Sequence, residues 1–342
     1  MRYFFTIIII NMSLMNVFSQ SISKQDSLDI DKLFYFYEGN FPGAILGVYQ
    51  NDKTVFEKVY GSANIETKEK LTSQHYFYFG KMRRIVTMLA IMNLYEKGKL
   101  DLNEPLSSVF EKFPAYGNKI TIRNLLEHTS GLKSFEGTKK PKEVLDFLLN
   151  SDSLNFETGT HWGYSNSDLA LLILLVEKKS KKSYYNYTNR KVYRKLRIKP
   201  KYLDKCKKEK LMRGHKALSL YSYNLVDELS RLDEFGQKNV FLSIRDFKKL
   251  NDAFFSKKTF LKSETNKLIF QRINNRINFG LGWYVIKKDD HLTYWMGSNG
   301  NNFENVWVHL PESNVTVFLV TNRNQSRDSI LKRAIYIARL VK

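Results

Sequence analysis

Strand signals gather at the two ends of this chain, and helix signals fill the space between them. Near the start, residues 44–50 and 54–60 are apolar runs rich in β-branched side chains, joined by Asn51-Asp52-Lys53, which reads as a hairpin. Near the end, residues 279–286, 292–296, 305–310 and 315–321 are four short runs separated by turn residues. Between these groups, Ile85, Met88, Leu89, Met92 and Tyr95 recur at helical spacing up to Gly98. Residues 120–126 start a second helix that stops at Gly131, and residues 168–177 are apolar on nearly every side, as a buried helix is. Residues 28–37 also show helical spacing, Ser243 with Asp246 three residues on is an N-cap arrangement for a helix to Phe255, and residues 329–340 close as an amphipathic helix. Strands divided between the ends must pair across the whole sequence to make a sheet. The expected architecture is therefore α+β: an antiparallel sheet built from both chain ends and flanked by helices, with a mainly helical middle at about residues 100–255. No internal repeat or long Pro/Gly linker breaks residues 25–342, so a single domain is expected there.

The first residues carry a different pattern. Arg2 gives a short positive region, residues 3–14 are mostly apolar, and Val17-Phe18-Ser19 offers small-enough side chains for cleavage. This reads as a signal peptide over residues 1–19, so the mature chain is expected to be exported, periplasmic or secreted. As a membrane span the stretch is short and is broken by Asn11 and Ser13, and no cysteine lies near it to take a lipid. No other stretch approaches about 20 apolar residues, so no transmembrane span is expected in the mature chain.

Hydrophobic residues make up 43% of the chain, with 24 Phe and 20 Tyr, which supplies a sizeable core and excludes a disordered class. Cys206 is the only cysteine, so neither an intramolecular disulfide nor a cysteine-based metal site is expected. The six histidines are scattered without ligand spacing, and no metal and no cofactor are expected. The formal charge is +21, and residues 178–216 hold 17 Lys and Arg against Asp204 and Glu209. Such a block reads first as a solvated basic face and second as a docking surface for an anionic envelope component; export argues against nucleic acid.

Residues 78–90, YFGKMRRIVTMLA, resemble the nucleophile helix of the serine β-lactamase and penicillin-binding protein family, which usually runs Phe-x-x-Gly-Ser-x-x-Lys-x-x-Thr-x-x-Ala. Setting Gly80, Thr87 and Ala90 on that pattern puts Lys81 in the serine slot and Arg84 in the lysine slot. Other segments are similar to the class C, esterase and D-Ala-D-Ala-peptidase branch of the family, in its order. They are the 43–61 hairpin, EKGKLD at 96–101, ITIRNLLEHTSGL at 120–132, Gly159-Thr160 followed by Tyr164-Ser165-Asn166, FGLGW at 279–283 and Val320-Thr321-Asn322. The resemblance covers about residues 25–342 and implies that family's fold.

It also implies a mechanism that this chain does not carry intact. The family needs a serine at a helix N-terminus, where backbone N–H groups face the developing oxyanion, and a lysine one turn on to take the serine proton. A tyrosine from the second motif assists proton transfer to the leaving group, and a strand with His-x-Gly or Lys-Thr-Gly flanks the pocket. Here Tyr164 and Asn166 remain, Arg84 is a very poor base because guanidinium stays protonated, and the third motif reads Trp295-Met296-Gly297. An acylated Lys81 would be an amide, which does not turn over as an ester does. Literal Ser-x-x-Lys strings at 21–24, 130–133 and 329–332 fall just past the expected cleavage site, in the His-Thr-Ser-Gly loop and in the last helix, so none is expected to substitute. His128 is expected in a structural turn.

Three functions compete. The first is a catalytically silent member whose pocket, carrying Lys81, Arg84, Tyr164, Asn166, Trp295 and Gly297, binds a carboxylate-bearing peptide or cell-wall-like ligand. The second is a residual serine-independent hydrolase in which Tyr164 activates water. The third is an adaptor that docks residues 178–216 on an anionic surface and leaves the pocket idle.

Overall fold

The computed structural model describes residues 22–135, 140–202, 210–219, 221–226, 239–274, 276–324 and 327–341. The signal segment at 1–19, Cys206 and residues 203–209 of the basic block lie outside them.

A six-stranded antiparallel sheet runs in the order Tyr284–Lys288, His291–Gly300, Phe303–Leu310, Val315–Thr321, Ala44–Gln50, Lys53–Tyr60. The two chain ends meet between its fourth and fifth strands, where Ala44 faces Thr321 and Gln50 faces Val315. Three of its hairpins turn on two residues that both have positive φ: Asn51-Asp52 (48° and 69°), Asp289-Asp290 (50° and 59°) and Asn301-Asn302 (52° and 60°). Asn and Asp tolerate that conformation best among residues with a Cβ, and the resulting turn matches the right-handed twist of the strands.

Alternation along the strands fills both faces. Ile45, Tyr49, Trp307, Phe318 and Val320 enter one core, against the helical middle; Leu46, Val48, Val306, Val308, Val317 and Leu319 enter a second, which also holds Ile30, Ile330, Ala334 and Ile337 from the terminal helices Lys24–Lys32 and Arg327–Leu340. The first core takes in Arg84–Tyr95 and Asn166–Ser180, which pack against each other. Among the described residues, no helix is long and apolar enough to cross a membrane.

Several boundaries differ from the sequence reading. The helix expected to stop at Gly131 is Ile122–Glu127, and it ends because His128 itself takes the left-handed conformation (φ 54°). The run 279–286 is a strand only from Tyr284, because Gly282 (φ +89°) bends the chain before it. Residues 240–243 form a strand that the sequence reading lacked; Val240–Ser243 pairs with both Tyr76–Tyr78 and Lys201–Tyr202, and Ser243 then caps Ile244–Phe255 as expected.

Candidate functional site

The strand Tyr76–Tyr78 delivers the chain to a tight turn that is held from both sides. Phe79 N donates to the Val240 carbonyl at 2.9 Å, and the buried Asn305 side chain donates to the Tyr78 carbonyl at 2.9 Å and to Ser298 Oγ at 3.2 Å. Gly80 lies between these anchors with φ +55°, and a Cβ there would stand 3.2 Å from Ser298 Oγ. Left-handed backbone and the close strand both favour glycine. Gly80–Arg83 is a 3₁₀ turn and Arg84–Tyr95 is the α-helix, so Lys81 sits in the turn and Arg84 at the first helical position.

Four of the expected site residues come together here. Lys81 Nζ lies 5.9 Å and Arg84 Cζ 5.8 Å from the centre of the Tyr164 ring, within reach of its negative face. An Arg84 Nη2 reaches the Gly297 carbonyl oxygen at a long 3.5 Å, which links the helix to the strand His291–Gly300. Asn166 follows Tyr164 closely as the first residue of Asn166–Ser180; its N–H donates to Ser134 Oγ at 3.1 Å, while Ser165 caps the helix.

Trp295 goes elsewhere. The sequence reading put it in the pocket with Lys81 and Tyr164. Strand alternation gives Met296 to the core beside the helical middle and Trp295 to the core beside the terminal helices, where it is 8% exposed and joins Val306 and Val308. Its ring stacks on Tyr284 at 4.1 Å. A run of rings, Tyr284, Phe279 and His128, connects it at a distance with Tyr164.

The His-Thr-Ser-Gly phrase builds the seat of Tyr164. Gly163 N donates to the His128 carbonyl at 2.9 Å, Gly159 N to Thr129 at 2.8 Å and Asn155 N to Gly131 at 2.8 Å, so the two segments run clamped together. His128 packs its ring 4.8 Å from that of Tyr164 and places Nδ1 2.9 Å from the Asp168 carboxylate, which also accepts from Ser130 Oγ. Burial pushes the Asp168 carboxyl up from its ordinary value, against the pull of His128 and Ser130. Ser130 is thus committed to a buried structural bond, and Lys133 of the same Ser-x-x-Lys string reaches Asp152.

Charge at the head of Arg84–Tyr95 runs against the helix dipole. Lys81, Arg83 and Arg84 crowd it, its first turn carries no acidic residue, and no side chain caps it. A cation there is unfavourable by typically about 0.3–1 kcal/mol. Buried Arg83 lines a small cleft with Tyr184 and Tyr193, leaving Lys81 and Arg84 on the Tyr164 side. Among the described residues no three His, Cys, Asp or Glu side chains cluster as metal ligands would. Ser298, Asn305, Trp162 and Phe279 escaped the sequence reading. Only Phe279 had a signal, in FGLGW; Trp162 packs on it and on Tyr284.

Comparison with known proteins bears on this arrangement. The family model described as Beta-lactamase matches residues 22–342. The chain is 25% identical over 264 residues to PbpX of Bacillus subtilis (strain 168), whose name places it among penicillin-binding proteins, covering 73% of this chain and 64% of the relative. It is 30% identical over 161 residues to Protein flp of Staphylococcus aureus (strain NCTC 8325 / PS 47), covering 44% and 32%. The chain thus spans less than two thirds of the length of these relatives. Among solved structures, the octameric penicillin-binding protein homologue from Pyrococcus abyssi superposes with a TM-score of 0.77 at 20% identity, over 93% of this chain and 76% of the other. FmtA from Staphylococcus aureus superposes with 0.76 at 19% identity, over 95% and 92%. These structural likenesses speak for the fold alone.

Proposed function

The chain belongs to the Beta-lactamase family, and on that premise we propose that it is an exported, catalytically impaired member whose cleft binds a carboxylate-bearing peptide or cell-wall-like ligand. The observation that carries this reading is the pair of cations, Lys81 and Arg84, that face the Tyr164 ring at the head of Arg84–Tyr95. A guanidinium cannot take a proton from a nucleophile at any working pH. An ammonium that became acylated would hold its acyl group as an amide. Both groups instead suit an anion: Arg84 offers a planar fork that fits a carboxylate, and Lys81 adds a second charge. The helix N-terminus favours the same sign of ligand, and an anion bound there would relieve the repulsion between Lys81 and Arg84. Tyr164 and Asn166 add neutral hydrogen-bonding groups, and the backbone at Gly297 lines the opposite strand.

The test is a ligand titration with N-acetyl-D-Ala-D-Ala, followed by thermal shift, on the mature protein and on Arg84→Ala. Stabilisation that disappears in Arg84→Ala, with no covalent labelling by a fluorescent penicillin, supports the reading. Turnover of nitrocefin that is abolished in Tyr164→Phe replaces it with a serine-independent hydrolase.

A further inference from the structure

Just past the other end of the same helix lies a second concave site. The helix Arg84–Tyr95 carries the cleft cations at its head; Lys97 and Lys99 follow its tail, about 18 Å along the axis at 1.5 Å per residue. There they meet Lys182, Arg190 and Lys191 around a depression of about 370 Å³. These come from the basic block after Asn166–Ser180, but Lys97 and Lys99 do not, so the sequence block alone does not define the site.

The lining is one-sided. Ser180, Asn186 and Tyr187 complete it, and among the described residues no carboxylate takes part. The site is also held in place. Asn93 Oδ1 accepts from Lys97 Nζ at 2.6 Å and from the Tyr187 hydroxyl at 3.1 Å, so one amide fixes a cation and a buried tyrosine together. Burial and the charges of Lys191, Lys195 and Lys99 push the Lys97 ammonium below its ordinary value, and Glu96 opposes them. Crowded like charges around a concavity cost stability unless an anion screens them. Single exposed lysines spread over a basic surface have no such geometry.

We propose that the depression lined by Lys97, Lys99, Lys182, Arg190 and Lys191 is a binding site for a phosphate-bearing anion, separate from the cleft at Lys81 and independent of what that cleft does. Phosphate is the class that fits. It presents several acceptor oxygens in a small volume to four ammonium groups and the Arg190 guanidinium arriving from different directions, which the two oxygens of a flat carboxylate engage less fully. The concavity and the hydrogen-bonded Lys97 suit a discrete phosphate group seated in the site. The group is either a free phosphate chain or the headgroup of an anionic lipid.

The experiment uses the full mature chain with two probes, inorganic tripolyphosphate and vesicles containing phosphatidylglycerol. The site variant is Lys97→Gln/Lys99→Gln/Arg190→Gln/Lys191→Gln, and the control is Lys287→Gln/Lys288→Gln/Lys332→Gln. At low salt the site variant is expected to bind at least about tenfold more weakly while the control stays within about twofold, and added salt weakens the wild type steeply. Loss for tripolyphosphate alone assigns a free phosphate chain; loss for vesicles alone assigns a lipid headgroup; loss for both assigns the phosphate group itself. A site variant that binds like the control overturns the proposal, as does a wild type that binds neither probe. Lysine acetylation of the unmutated protein gives a second reading that does not depend on the variant folding: bound tripolyphosphate is expected to slow modification of Lys97 more than that of Lys287, and equal rates overturn the site.

Discussion

Arg84 holds its guanidinium carbon 5.8 Å from the centre of the Tyr164 ring, and the same side chain reaches across to the Gly297 carbonyl. One arginine therefore bridges the three segments that the family uses for catalysis: helix, second-motif loop and flanking strand. Removing it is expected to separate them electrostatically. Arg84→Ala should weaken binding of N-acetyl-D-Ala-D-Ala by roughly 1.5–3 kcal/mol, the range for a hydrogen bond to a charged group, and Arg84→Lys should fall between it and wild type because the fork is lost but the charge stays. Isothermal titration of the three proteins reads the order. Equal affinities would remove Arg84 from the ligand site.

Restoring the family pair tests whether the frame is still competent. Lys81→Ser with Arg84→Lys returns a hydroxyl and an amine to adjacent turns beside Tyr164. The double variant is expected to take a covalent label from a fluorescent penicillin, seen as a band on a denaturing gel, while the native chain takes none. A label on the native chain would refute the loss of the nucleophile.

Gly80 carries a conformational demand that no other residue meets as well. Its φ of +55° costs a residue with a Cβ roughly 1–2 kcal/mol, and the added carbon would press within 3.2 Å of Ser298 Oγ. Gly80→Ala should lower unfolding free energy by about that amount in a denaturant titration with unchanged slope. A neutral result would mean that the turn relaxes without loss.

Acid sensitivity should come from two buried imidazoles. His309 stacks on Phe255 at 3.6 Å and contacts Thr316 Oγ1 at 2.9 Å; burial lowers its pKa to about 3. Burial likewise lowers that of His215 to about 4, with Arg213 adding to the effect against its contact with the Asn322 carbonyl. The unfolded chain protonates both rings near pH 6.5, before the native chain does. Their stability contribution is therefore present above that pH and is lost as pH falls toward 4 and 3, at up to about 1.4 kcal/mol per unit for each ring. His309→Gln is expected to flatten the acid limb of the melting-temperature profile. An unchanged limb would mean that His309 is solvated in the native state.

Sequence pattern revealed the six main strands and the principal helices because each is an apolar run bounded by turn residues: Val315–Thr321 is buried along its whole length, and Arg84–Tyr95 is buried except at Arg84, Asn93 and Tyr95. The grouping of Lys81, Arg84, Tyr164 and Gly297 was legible because motif order fixes topology. Trp295 was not, since a motif names a position and not the face on which a strand presents it; the stacking partner Tyr284 decides that. The short strand Val240–Ser243 was hidden for another reason. Four residues carry too little period of their own, and its two partners lie about 40 and 160 positions away. Asn305 was equally silent: a buried amide that holds two segments looks like any other asparagine until both segments are in place.

The pairing of Ala44–Gln50 with Val315–Thr321 has a consequence for how the molecule is born. The first hairpin stays an unclosed edge until some 260 further residues have left the ribosome, so no early fragment owns a finished sheet. Closure over so great a loop is slow by its nature. The interval leaves a threadable polymer, and the cleft comes into being only with the last strands.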